Sequence, residues 1–289
     1  MANNSRAINR VFTKGVLTQL LQTGQNDVFD YVVRRYINDP DSKTHGELFS
    51  EIYSYLDKAK RNEYYYMNTL LNRLLIGYHS VNTTTAISQV RIGHHIADFV
   101  MINGEGRVYE IKSSLDNFDR LNDQLSDYFK AFSKVSVLST LHEYERVSFL
   151  LEKLGDMGES VGIYLMNEND AYFSKYSRRE PRQFDDYLEH SCIFKLLRKR
   201  EYESVIANYF GELPKVVPVR HFRECLDWFS QIPIIEAQKL ALDELKKRNI
   251  ISKTDFERIQ AELKSVVYFA GLSRKLLKIE QLLETTYRG

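Results

Sequence analysis

Between about Ser88 and Met166, short runs of Ile, Val and Phe alternate with longer stretches whose apolar residues recur every three or four positions. A strand repeats its faces every two residues and a helix every 3.6, so the two patterns mark different elements. Strands interleaved with helices predict an α/β layer with a mixed sheet flanked by helices. Residues 96–103 read as a strand, Asn103-Gly104-Glu105-Gly106 as a tight turn, and 107–112 as a second strand. Leu121, Leu125, Tyr128, Phe129 and Phe132 form one stripe of a helix predicted over 116–132. Strands at 135–138 and 161–166 enclose a helix at 142–154.

On both sides of this region the pattern is helical. Val16, Leu17, Leu20 and Leu21 share a face, as do Val28, Tyr31, Val32 and Tyr36. A periodic stretch over 46–76 follows the break at Asp39-Pro40-Asp41-Ser42. After residue 181 the chain reads as helix again. Thr254-Asp255-Phe256-Glu257 fits a capping box, with one long helix expected from there to about Thr285. The expected organisation is an N-terminal helical region (1–60), an α/β core (61–180) and an all-helical C-terminal extension (181–289).

Charge and cysteine content narrow the function classes. The 289 residues carry 40 Lys plus Arg against 39 Asp plus Glu, so any nucleic-acid surface must be a local patch. Two cysteines, Cys192 and Cys225, are too few for a disulfide scaffold and read as reduced core residues. No apolar run is long enough to span a bilayer, and the polar N-terminus lacks a signal-peptide stretch. A cytoplasmic protein without a membrane partner is expected. No Walker-type glycine loop, dinucleotide fingerprint or Ser-His-Asp signature is evident.

The segment from Asp98 to Lys112 carries the chemistry. If Ile102 pairs with Gly106 across the turn, partner numbers sum to 208 and Asp98 stands opposite Glu110. Cross-strand neighbours have Cβ atoms roughly 4.5–5.5 Å apart. Lys112, two residues beyond Glu110, shares its face. Two carboxylates and an amine on one sheet surface suit a hard divalent cation, which binds carboxylate oxygens and retains waters. Such an ion primes water for phosphodiester hydrolysis, and an adjacent Lys can hold that water or stabilise developing charge. The same three residues could equally make an ordinary surface ion pair.

Ala97-Asp98, then Glu110-Ile111-Lys112 on the next strand, resembles the signature of the PD-(D/E)XK, or restriction-endonuclease-like, nuclease superfamily. The following Leu115-Asp116-Asn117-Phe118-Asp119-Arg120-Leu121, with Gln124 and Tyr128, is similar to a small bacterial and phage family within it. The Gln124-x-x-x-Tyr128 spacing is also similar to the motif of RecB-type exonuclease domains. The resemblance covers about residues 60 to 140. It implies a restriction-endonuclease-like core in which Asp98 and Glu110 bind Mg²⁺ or Mn²⁺, with the Ile111 carbonyl as a third ligand and Lys112 positioning water. It implies that Arg120, Gln124 and Tyr128 lie near the metal or a DNA phosphate. A further acid from the helix before the first core strand is expected at Glu63, with Glu51 as the alternative. Ala97 departs from the proline of the superfamily name. Gln89 stands where another acid would be sought.

The expectation is a metal-dependent nuclease acting on nucleic acid, DNA foremost. The alternative is a nuclease-fold protein without turnover that binds nucleic acid or protein. The C-terminal helices are expected to recruit a partner or a second copy. Tyr64-Tyr65-Tyr66 reads as core more than as a base-stacking platform. His94-His95 lacks further ligands at zinc spacing. Basic residues at Arg178, Arg179 and Arg182, and at Lys195, Arg198, Lys199 and Arg200, read as solvated faces or phosphate-tracking patches.

Overall fold

The computed structural model describes residues 2–59, 62–73, 83–113, 116–166, 179–248 and 251–289. They form two compact units, one of residues 1–83 with 249–289 and one of residues 84–248.

The first unit begins with α1 (Ala2–Val11), α2 (Lys14–Thr23), α3 (Asp27–Tyr36), α4 (His45–Ala59) and α5 (Glu63–Asn72). Three of these helices start on a side-chain cap: Thr13 accepts the Val16 N–H, Asn26 those of Val28 and Phe29, and Asn62 that of Tyr65. Their apolar stripes are buried at Val16, Leu17, Leu20, Phe29, Val32, Phe49 and Ile52. Tyr65 and Tyr66 are buried, and Tyr64 stacks on Phe12 at 4.6 Å, so the tyrosine triplet is core. Leu74 and Leu75, expected on the same stripe, lie outside the described residues.

The second unit holds β1 (Thr85–Ile92), β2 (His95–Asn103), β3 (Glu105–Lys112), α6 (Leu121–Phe129), β4 (Lys134–Thr140), α7 (Tyr144–Glu152), α8 (Gly155–Ser160) and β5 (Gly162–Met166). Helices α9 (His190–Lys195), α10 (Lys199–Phe210), α11 (Pro218–Phe229) and α12 (Ile234–Lys246) complete it. The strands form one sheet in the order β1-β2-β3-β4-β5; the first three are antiparallel and the last three parallel. The chain is therefore α/β, a mixed sheet flanked by helices. Leu121, Leu125, Tyr128 and Phe129 of α6 join Val100, Ile102, Val108, Val135 and Val137 of the sheet in one buried cluster. Burying each such aliphatic or aromatic side chain contributes roughly 1.5–3 kcal/mol. Cys192 and Cys225 are both buried free thiols.

Strand β1 was not expected as a strand, because Ser88, Gln89 and Arg91 dilute its apolar alternation. Helix α6 starts five residues later than the stripe suggests. Asp116 Oδ2 accepts the Ser113 N–H (2.7 Å) and Asn117 Oδ1 accepts the Asp119 N–H (2.8 Å). Such local side-chain bonds hold the backbone in turns and delay the helix.

The first unit is completed by α13 (Lys253–Arg258), α14 (Lys264–Phe269) and α15 (Leu276–Glu284). The single long helix expected here is thus broken. Ile259 turns extended after α13, and Gly271, with φ +66, follows α14. The cap of α13 is Ser252, which accepts the Asp255 N–H, and not Thr254. The division into units also differs from boundaries near 60 and 181: α9–α12 group with the sheet and α13–α15 with the N-terminal helices. Among the described residues, no helix is long and apolar enough to cross a membrane.

Candidate active site

The β2–β3 hairpin fixes the site. Its pairs run from Asn103–Glu105 through Ile102–Gly106 to Phe99–Tyr109, so partner numbers sum to 208 as the turn spacing predicts. Gly104 at the tip has φ +74, the left-handed conformation that glycine adopts without steric cost. One step beyond Phe99–Tyr109 this register reaches Asp98 and Glu110. There the ladder continues through a side chain: Asp98 Oδ2 accepts the Ile111 N–H at 2.9 Å. In β1, Ser88–Phe99 and Val90–Ala97 flank Gln89, which takes a φ of +54 across from Asp98. A non-glycine residue in that region is uncommon and marks a local distortion beside the acid.

Glu110 is 2% exposed and Lys112 7%. Lys112 Nζ lies 2.9 Å from Glu110 Oε1, and Gln124 Nε2 donates to the same oxygen at 2.6 Å. The Tyr128 hydroxyl is shared between Glu110 Oε2 (2.7 Å) and the Ile96 carbonyl (2.9 Å). Ser139 on β4 donates to the Lys112 carbonyl at 2.8 Å. A buried carboxylate needs both a counter-charge and hydrogen bonds, and Glu110 has both. Burial, then the Glu110 and Asp98 carboxylates, push the Tyr128 phenol well above its ordinary value, so it stays protonated and donates.

The structure therefore gathers Asp98, Glu110, Lys112, Gln124 and Tyr128 at one end of β2 and β3, beneath α6. Ile111 joins them through its backbone N–H. Arg120 is exposed at the position preceding α6. Glu63, exposed at the first residue of α5, and Glu51, paired with Lys43 at 2.7 Å, belong to the helical unit and not to the sheet unit. Among the described residues, no three His, Cys, Asp or Glu side chains are grouped to hold an ion. Sequence reasoning missed Ser139 and the Ile96 carbonyl, since neither a lone serine nor a backbone oxygen leaves a mark in a motif. Asp98 and Glu110 are the residues here that could offer hard oxygens to a divalent cation, of which Mg²⁺ commonly takes one or two protein carboxylates with waters filling the rest.

A second charged group on α6 holds the neighbouring hairpin. Asp127 accepts from the His94 N–H and His95 Nδ1 (2.8 Å each) and pairs with Lys130 Nζ at 2.8 Å. Burial works to raise its pKa, but Lys130 and the two histidine contacts outweigh it and bring the value down to about 2. His94 and His95 thus fasten a turn. Of the basic residues, Arg179 donates to the Val161 and Gly158 carbonyls, Arg182 pairs with Glu159, and Arg178 lies outside the described residues.

Residues 57–266, more than two thirds of the chain, match the family model of bacteriophage P4 protein cII. The chain belongs to that family. The matched region of this P4 cII family member includes Glu63, both hairpin acids, Lys112 and all of α6, and leaves Glu51 outside. No curated protein and no solved structure matches the chain.

Proposed function

We propose that this P4 cII family chain is a metal-dependent nuclease that hydrolyses phosphodiester bonds in DNA, built on a restriction-endonuclease-like core. The observation that carries the reading is the meeting of Asp98, Glu110 and Lys112 at one sheet end, with Gln124 and Tyr128 on the Glu110 carboxylate. Asp98 and Glu110 would hold the ion, which supplies Lewis-acid activation of water and phosphate when bound. Lys112, whose amine lies beside Glu110, would orient water and offset charge developing on phosphorus. Tyr128 and Gln124 hold Glu110 in one rotamer, so the site is preorganised. Arg120, exposed at the position preceding α6, would meet a phosphate. The phage family fits a role in phage defence or mobile-element biology.

Purified full-length chain should nick or degrade DNA with Mg²⁺ or Mn²⁺. Asp98→Asn and Lys112→Ala should abolish cleavage while circular dichroism remains that of the wild type. Equal cleavage by wild type and either variant would overturn the reading.

A second reading is a nuclease-fold protein that binds nucleic acid or protein without turnover. It is favoured by the engagement of both Glu110 oxygens by Lys112, Gln124 and Tyr128, and by the lack of a third acid in the group among the described residues. Calorimetry separates the two: no heat with millimolar Mn²⁺, alongside retained DNA binding, selects the second.

A further inference from the structure

We propose that the adjoining N-terminal ends of α10 and α11 are a docking surface for an acidic, amphipathic segment of a partner protein. The proposal does not rest on the nuclease reading. The two helices run side by side with their starts together. Phe222 packs against Phe194 (5.2 Å) and Tyr202 (6.0 Å), and His221 Nε2 lies 2.7 Å from Glu203 Oε1, while at the far ends Phe210 meets Trp228 at 5.4 Å.

At the shared start, apolar side chains stand in water. Val217 is 58% exposed, Val219 88% and Phe222 47%. Single exposed apolar residues are ordinary, but neighbouring ones ringed by charge mark an interaction site. The rim here is largely cationic: Lys199, Arg220 and Arg223 are all exposed, with Lys199 3.8 Å from Glu203. At α11 this placement opposes the helix dipole: its first turn holds no acid and carries Arg220. The first turn of α10 carries Lys199 and Arg200 together with Glu201, whose carboxylate accepts the Arg198 N–H. Cations at the positive end of a helix are unfavourable, and an incoming carboxylate would be stabilised by both the side chains and the helix ends. Charge complementarity calls for Asp or Glu on the partner, and the valines and Phe222 call for apolar side chains between them.

Other occupants fit less well. A second copy docked by two-fold symmetry would set Arg220 and Arg223 against their own counterparts. Nucleic acid could engage Arg220, Arg223 and the Phe222 ring but would gain little from Val217 and Val219, which have neither donors for phosphate nor rings for bases. An anionic bilayer would meet Glu212, paired with Lys215 at 2.9 Å, and Glu224 amid the cations.

The test is peptide display on the immobilised full-length chain, in parallel with the Val219→Asp/Arg220→Glu double variant. Both positions are exposed, so the variant should fold. Peptides enriched on the wild type should combine Asp or Glu with Leu, Ile or Phe. A selected peptide followed by fluorescence anisotropy should bind the double variant roughly tenfold or more weakly. No enrichment over the variant, or equal affinity for both, would overturn the proposal. So would DNA or phosphatidylglycerol vesicles that bind the wild type and not the variant, or a wild-type dimer in light scattering that the variant loses.

Discussion

The Tyr128 hydroxyl reaches from the buried stripe of α6 to Glu110 Oε2 at 2.7 Å, so one ring serves both core packing and the candidate site. Tyr128→Phe keeps the ring and removes the donor. Glu110 Oε2 and the Ile96 carbonyl then lose a partner in a buried setting, which should cost about 1–3 kcal/mol. Urea unfolding monitored by circular dichroism measures it. A change within error would mean that water replaces the hydroxyl and that Tyr128 contributes packing alone.

Glu110 and Lys112 form a buried pair whose halves are unequal in what their loss leaves behind. Lys112→Met strands a carboxylate that keeps Gln124 and Tyr128, and a stability loss of about 3 kcal/mol is expected. Glu110→Gln strands the amine. The double variant Glu110→Gln/Lys112→Met removes both charges and should be more stable than Lys112→Met alone. A double-mutant cycle by denaturant unfolding reads the coupling, and strictly additive losses would show that the pair is not coupled.

The hairpin was legible because a period of two and a short glycine turn leave little freedom of register. Asp98, Glu110 and Lys112 follow from counting, whereas the family resemblance points to Gln124 and Tyr128, and in the structure they lie one helical turn apart. What could not be read lies where side chains override the periodic pattern. Asp116 and Asn117 hold their stretch in turns ahead of α6. Strand β1 is polar along much of its length, and its Gln89 adopts a left-handed φ that no residue pattern announces. The assignment of α13–α15 to the N-terminal helices depends on long-range contacts such as the Thr44–Thr286 bridge, which carries no local signature.

Asp127 should set part of the acid limb of stability. Its folded pKa of about 2 lies below the ordinary 3.8, so its contribution is fully present above about pH 4 and is lost as pH falls toward 2. The shift corresponds to roughly 2 kcal/mol at most. Asp127→Asn should lower stability at pH 7 and flatten the profile between pH 4 and 2. Parallel wild-type and variant profiles in urea unfolding would contradict this role.

Both cysteines should be unreactive in the native chain. Cys225 is fully buried, and burial, reinforced by Glu203, pushes its thiol up to about 11, while Cys192 is raised by burial and Glu189. A thiol reagent at pH 8 should modify neither until denaturant is added, when both react. Rapid labelling without denaturant, quantified by mass spectrometry, would show that the α9–α11 region opens readily.

Gly93 makes the β1–β2 turn possible in two ways. Its φ of +58 disfavours any side chain, and a Cβ there would stand 2.5 Å from Asp127 Cγ. Asp127 cannot easily yield, because it is held by His94, His95 and Lys130. Gly93→Ala should therefore cost about 1–3 kcal/mol from backbone strain, with a further loss from the displaced carboxylate. The combination Gly93→Ala/Asp127→Ala separates the two: it should lose less than the sum of the single variants, because the contact is relieved while the strain remains. Thermal unfolding of the four proteins decides it, and losses that simply add would place the whole effect in the backbone.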